Sequence, residues 1–268
     1  MVNRAFVYAM NSIFQLNYYN GIQPQRLRNV PIIYPSIFWI QQGEKQLQWQ
    51  NDWISFNSKN WLLSHGNASL TFINNPNQSQ FFSTQLSFLI RPSDALIERS
   101  LENQQVDQTP EYTIDGTAKY LWQSIITMPK DIKPNVQQHI VNALFEHLAN
   151  SGQLHQLFTV RNLSWRDKLT QYFNEDPKAN HSIESVCEHF GLSKSTLIRR
   201  LKEENTQFRE MLAQLRMGYA LSLLQNKPYS QIELAHLCGY KSELRFAQRF
   251  QHQFGLTLKQ YQKTFEYH

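Results

Sequence analysis

Arginine can donate two parallel hydrogen bonds to guanine and glutamine can make a two-point contact with adenine, so exposed Arg and Gln at matched positions of repeated helices form a base-reading pattern. Arg199 and Gln248 stand in that relation. Aligning Ser193 with Ser242 superposes Leu197 and Leu201 on Phe246 and Phe250, two apolar pairs spaced i,i+4 that must face inward. At about 100° per residue, the position two beyond the first apolar residue points outward, and it is Arg199 in one copy and Gln248 in the other. One turn earlier lie Ser195 and Leu244, and Ile198, Lys202, Glu243, Arg245 and Ala247 flank the same face. Ser195, Ile198, Arg199, Glu243, Leu244, Arg245, Ala247 and Gln248 are therefore the base-contacting candidates, with Ile and Leu able to touch a thymine methyl. Lys194, Arg200, Lys202, Lys241 and Arg249 lie at oblique angles or at the rims, which suits contact with phosphates.

The elements that must position these side chains are legible too. Ser182 to Lys202 and Ser230 to Phe250 each read as a capped apolar helix, a Gly at a turn (Gly191, Gly239), a second Ser cap and a second helix. Ser230 with Glu233, and Thr257 with Gln260, have capping-box spacing. The units span 182–203 and 230–251. Between them, Phe208, Met211, Leu212, Leu215, Tyr219, Leu223 and Leu224 form one apolar stripe on a helix expected over 206–224. One helix-turn-helix pattern is weak evidence for DNA binding. Two joined by a helix imply a reader of double-stranded DNA that enters successive major-groove turns, about 34 Å apart.

The charge sits where that reading needs it. The chain has 268 residues and a formal net charge of +5, yet residues 1–160 hold ten basic and ten acidic side chains, and the whole excess lies in 161–268. A basic region attracts polyanions because phosphate neutralisation releases counterions. Residues 1–160 are expected to form a regulatory or dimerisation domain and 161–268 the DNA-binding domain. Cys187 and Cys238, the two cysteines, fall in apolar runs of first helices and are expected in small cores, with redox sensing the lesser alternative. The start of the chain holds no long apolar stretch, so neither a signal peptide nor a membrane span is expected, and the cytoplasm is the expected compartment.

Residues 30–90 read as short strands with polar turns, suggesting a sandwich or small barrel, and 93–150 as helical, with 102–114 a loop. Phe38, Trp39, Trp49, Trp53, Phe56 and Trp61 could line an aromatic ligand pocket or be barrel core. Ile140, Leu144 and Leu148, on a helix starting near Pro134, could be core or a homodimer contact. His65 is the only histidine before His139, so the histidine cluster of a metal-dependent barrel enzyme is missing. No nucleophile elbow, phosphate loop or paired catalytic carboxylate occurs, and no enzyme, metal or cofactor is expected.

Residues 163–265 resemble the AraC/XylS family of bacterial transcription regulators. The resemblance rests on Leu197-Ile-Arg-Arg-Leu-Lys, Leu215-Arg-Met-Gly-Tyr-Ala-Leu-Ser-Leu-Leu, Ile232-Glu-Leu-Ala-His-Leu-Cys-Gly-Tyr and Phe250-Gln-His-Gln-Phe-Gly-Leu-Thr-Leu-Lys-Gln-Tyr. Glu203 to Leu212 is similar to the subgroup controlling virulence and acid-response genes. Thr206, Leu258 and Gln251 depart from the usual Gly, Pro and Lys, so base preference is not inherited from relatives. The resemblance implies an α+β chain: a cupin-like N-terminal β-sandwich or barrel with helices, then an all-α domain with two helix-turn-helix motifs joined by a linker helix. It also implies an activator that works with RNA polymerase and is controlled through its N-terminal half by a small-molecule effector, dimerisation or a protein partner. In relatives that bind fatty acids a basic residue near the Phe-Trp-Ile strand holds the carboxylate, whereas here Pro35-Ser36-Ile37 precedes Phe38 and supplies none.

Overall fold

A computed structural model describes residues 13–104, 109–129, 131–160 and 164–265. Residues 161–163, where the domain boundary was read, lie outside the described residues. The first half is built from β1 (Phe14–Gly21), β2 (Gln25–Ile32), β3 (Ser36–Gln42), β4 (Glu44–Trp49), β5 (Asp52–Phe56), β6 (Asn60–Ser64), β7 (Ala68–Asn75), β8 (Phe81–Phe88) and β9 (Glu111–Thr113). They form two antiparallel sheets ordered β1-β8-β3-β6-β9 and β2-β7-β4-β5.

Strands β1, β2 and β9 were not read from the sequence. Their runs are polar, and in β2 the alternation is Gln-Arg-Leu-Arg, with Gln25 buried beside Leu27. Gln25 is buried because its amide donates to Thr264 Oγ1 at 2.9 Å and accepts from Asn74 at 2.9 Å, partners remote in sequence. The loop expected over 102–114 contains β9, which pairs with β6.

Both faces of the five-stranded sheet are buried. Phe38, Ile40 and Leu62 face the second sheet, meeting Leu27, Leu47, Phe56, Leu70 and Phe72. Ile37, Trp61, Leu63, Leu86 and Phe88 face α1 (Asp94–Glu102), α2 (Gly116–Ile126) and α3 (Pro134–Asn150). Trp122 of α2 packs 5.3 Å from Trp61 and edge-on to Trp39 at 5.6 Å. The indole nitrogens of Trp61 and Trp122 are buried without an acceptor. Each such group costs about 1–3 kcal/mol. Burying an aromatic ring of about 150–250 Å² at about 25 cal/mol per Å² returns more, so packing wins.

This layering bears on two sequence alternatives. Leu144 and Leu148 are fully buried beneath the sheet and Ile140 is packed against the same core, so the α3 stripe is intradomain core and not a free dimer face. The six aromatic residues do not line one pocket. Phe38 and Phe56 fill the space between the sheets with Trp49 at its border, Trp39 and Trp61 face the helices, and Trp53 is 44% exposed on the outside of the second sheet. Strand alternation sends neighbours to opposite faces, which separates Phe38 from Trp39.

The second half comprises α4 (Trp165–Glu175), α5 (Ile183–His189), α6 (Lys194–Glu203), α7 (Phe208–Leu224), α8 (Gln231–Leu237), α9 (Glu243–Phe254) and α10 (Leu258–Gln262). Helices α7 and α9 lie against β2, the edge of its sheet. An uncovered edge would present unpaired backbone groups to other chains. Among the described residues no helix is long and apolar enough to cross a membrane.

Candidate nucleic-acid interface

Unit one is α5 and α6. Ser182 caps α5 in a reciprocal box with Ser185, Gly191 turns the chain at φ 62°, and Ser193 caps α6 by accepting from the Thr196 amide at 3.2 Å. Leu197 and Leu201 are buried in a core with Leu169, Phe173, Val186, Met211 and Leu215. Unit two repeats the scheme in α8 and α9. Ser230 and Glu233 form the box, Gly239 turns at φ 71°, and Ser242 caps α9. The hydroxyl and amide of Ser230 hold the Glu233 carboxyl below the usual glutamate range. Phe246 and Phe250 are buried, as the register requires.

The outward faces carry the expected side chains. Ser195, Ile198, Arg199 and Lys202 of α6 are exposed, as are Glu243, Leu244, Arg245 and Gln248 of α9, while Ala247 is half-buried. Leu244 is 63% exposed, which leaves its side chain free to meet a thymine methyl. Arg199 is 65% exposed and pairs with Glu203 at 2.7 Å. An exposed i,i+4 pair is worth about 0.3–0.5 kcal/mol. A bidentate base contact discriminates by about 1–3 kcal/mol, so the pair does not prevent Arg199 from turning to a base.

Not all the basic candidates are equally free. Lys202 and Lys241 are exposed, and Lys194 reaches Glu184 at 3.2 Å on the rim. Arg200 is half-buried with its guanidinium 4.5 Å over the Trp165 ring. Arg249 turns back to Glu210 of α7 at 2.5 Å, bracing α9 on the linker. That brace was not legible, because Glu210 lies 39 positions away. Cys238 is buried and desolvation pushes its thiol up to about 12, which keeps it neutral and unreactive near neutral pH.

The linker divides its apolar surface. Met211 and Leu215 enter the core of unit one. Met217, Ala220, Leu221, Leu223 and Leu224 enter a core that holds unit two and the barrel together. Its apolar surface is therefore wider than the single stripe read from the sequence. Further ties join the halves: Gln253 donates to Asn29 O at 3.1 Å, the Ile22 amide to Thr264 O at 2.8 Å, and Asn174 to the Tyr34 hydroxyl at 2.7 Å. Inside the barrel, Lys45 is buried with its ammonium against Asn74 Oδ1 and over the Phe72 ring at 3.4 Å, and burial holds it well below the usual lysine range. A cleft of about 650 Å³ opens between the halves, lined by Arg26, Arg28, Gln48 and Trp53 on one side and Phe254, Leu256 and Gln260 on the other.

A helix-turn-helix domain family matches residues 186–264. The urease operon transcriptional activator of Escherichia coli is 30% identical over 93 residues, 35% of this chain and 31% of that protein. The DNA-binding dual transcriptional regulator Rns of E. coli is 28% identical over 119 residues, 44% of this chain and 45% of that protein. The chain thus spans about a third to under half the length of the curated relatives it matches. Among solved structures, ToxT of Vibrio cholerae aligns with 94% of this chain and 99% of its own, with a TM-score of 0.63 at 16% identity. A wild-type ToxT structure with a bound unsaturated fatty acid gives 0.62 at 15% identity, covering 95% and 96%. At such identity the likeness is one of fold, and it extends over both halves. The tandem units, their caps and these matches make residues 186–264 a helix-turn-helix domain similar to those of bacterial transcription regulators, in line with the resemblance to the AraC/XylS family.

Proposed function

We propose that this chain is a sequence-specific DNA-binding transcription regulator, an activator, in which α6 and α9 read successive major-groove segments. The observation that carries the reading is the matched outward placement of Arg199 and Gln248 on two capped helices held by one linker. Ser195, Ile198 and Arg199 would meet bases in one segment, and Glu243, Leu244, Arg245, Ala247 and Gln248 in the next. Lys194, Arg200, Lys202 and Lys241 would meet phosphates, and Arg249 serves first as the brace to Glu210. RNA polymerase is the partner expected of an activator, and the cytoplasm the compartment.

Control through the β half is supported by the core shared between barrel, linker and unit two. A small effector that bound the halves differently in two arrangements would shift the balance between them. The cleft supports a small molecule over a purely protein partner, because it touches both halves. A fatty acid like that in the ToxT structure would find no cation at the start of β3, where buried Ser36 bonds Ser87 and Gln85.

The test is selection of duplexes from a random pool by the full chain, repeated with Arg199→Ala. The wild type is expected to enrich a two-part site. The variant is expected to bind it about 1–3 kcal/mol more weakly and to lose preference at one base pair. Unchanged affinity and preference would refute the assignment of Arg199.

A further inference from the structure

The two reading units meet at one side chain that neither motif contains. Arg216 lies near the middle of α7, half-buried. Its Nε donates to Pro177 O at 3.3 Å and its Nη2 to Ala179 O at 2.9 Å, both in the loop leading into unit one. Its guanidinium lies 5.7 Å from the ring centre of Tyr240, in the turn of unit two. Gly239 completes the junction: a Cβ there would stand 2.8 Å from Arg216 Nη2 and 2.8 Å from Lys178 O, and the backbone needs φ 71°. Each side of the junction runs on into a core. The Ala179 carbonyl also accepts from the His181 amide, and the His181 ring packs 5.1 Å from Phe173. Tyr240 packs edge-on 5.4 Å from Phe246 of α9.

The chemistry of the junction favours orientation over attraction. Arg216 takes part in none of the ion pairs of the described residues. Its desolvated charge is met by two neutral carbonyls and a π face. A planar guanidinium can donate along two directions in its plane while its face covers a ring, and an ammonium cannot do both. Burial lowers its proton affinity without neutralising it, so the contact persists at any physiological pH.

We propose that Arg216 is the positioning residue that fixes the rotational phase between α6 and α9, so that the chain accepts one spacing between its two half-sites. The proposal rests on the DNA-reading function above. Its physical basis is that two linked contacts reinforce each other only as far as geometry lets both form at once. Without Arg216 each unit keeps its own core and its own reading face, but the angle between them is held less firmly.

The experiment uses the full chain and the duplex selected by the wild type, the same duplex with one or two base pairs inserted between its halves, and a duplex keeping one half. Variants are Arg216→Met, Arg216→Lys and, as a change on the other side of the junction, Tyr240→Leu. Arg216→Met is expected to bind the intact site about tenfold more weakly while half-site binding stays within about twofold, and the penalty for insertion shrinks. Arg216→Lys should resemble Met more than wild type. Equal intact-site affinity and an equal insertion penalty in all variants overturn the proposal. So does a loss that is the same on half-site and intact site, which marks a merely structural role. If Arg216→Met fails to fold by circular dichroism, Tyr240→Leu decides by the same insertion series. A wild type that enriches no duplex would refute the DNA-reading function itself, and this proposal with it.

Discussion

The two helix-turn-helix units share caps, turn and register, yet they are anchored differently. Unit one has its own apolar core, built from α4, α5, α6 and the first part of α7, with Ile33 of the β half packed at its edge. Polar contacts complete its tie to the barrel: Asn67 to Asp167 and Thr170, and Asn174 to Tyr34. Unit two has no separate core. Phe246, Phe250 and Phe254 belong to the cluster that fills the barrel, continued by Leu221, Leu223 and Leu224 of α7. Packing over such a surface resists separation more strongly than a few part-buried hydrogen bonds do. A change within the barrel should therefore be felt first at α9, and unit one should be the part that moves.

The largest expected break of this contrast comes from the cores. Phe250→Ala should cost about 3–5 kcal/mol and lower the melting of barrel and helices together. Leu201→Ala should cost about 2–5 kcal/mol but act on unit one, so hydrogen exchange would quicken in α4 to α6 while the strands stay protected. Equal exchange across both units in both variants would show one undivided core.

Next in size are the readers. Gln248→Ala and Arg199→Ala should each weaken specific binding by about 1–3 kcal/mol and relax different base pairs, as read by repeated duplex selection. Loss at the same base pair would contradict two independent reading faces. Asn174→Ala removes one bond to Tyr34 and should cost about 1 kcal/mol, detectable as faster exchange in α4 without change in α9. The smallest effect is one of pH. The Glu233 carboxyl is held down by Ser230, so its contribution to capping α8 is present above the unfolded glutamate pKa and fades as pH falls through the lower folded value. Ser230→Ala should flatten that acid dependence in thermal melts. The same dependence in wild type and variant would remove the box from the account.

The proposed reading faces were legible because their signal is local. Leu197 and Leu201, or Phe246 and Phe250, announce an inward face within two turns, and a Ser just ahead of each apolar-periodic run announces a cap. Arg249 shows where that reasoning stops. Its angle on the helix suits a phosphate, and only the tertiary structure brings Glu210 of another helix beside it. The aromatic residues show the same limit, since Phe38 and Trp39 share a strand and serve different cores. Gln25 reads as a surface residue until Thr264, 239 positions on, is seen beside it.

By itself the sequence determined the two units, their caps, the outward register of Arg199 and Gln248 and the linker helix, because periodicity and capping act within a few residues of chain. The tertiary structure alone decided that α3 is covered, that unit two grows out of the barrel core, and that Arg216 sits where both units meet. Those outcomes depend on which distant groups exclude water from one another, and no local pattern encodes that.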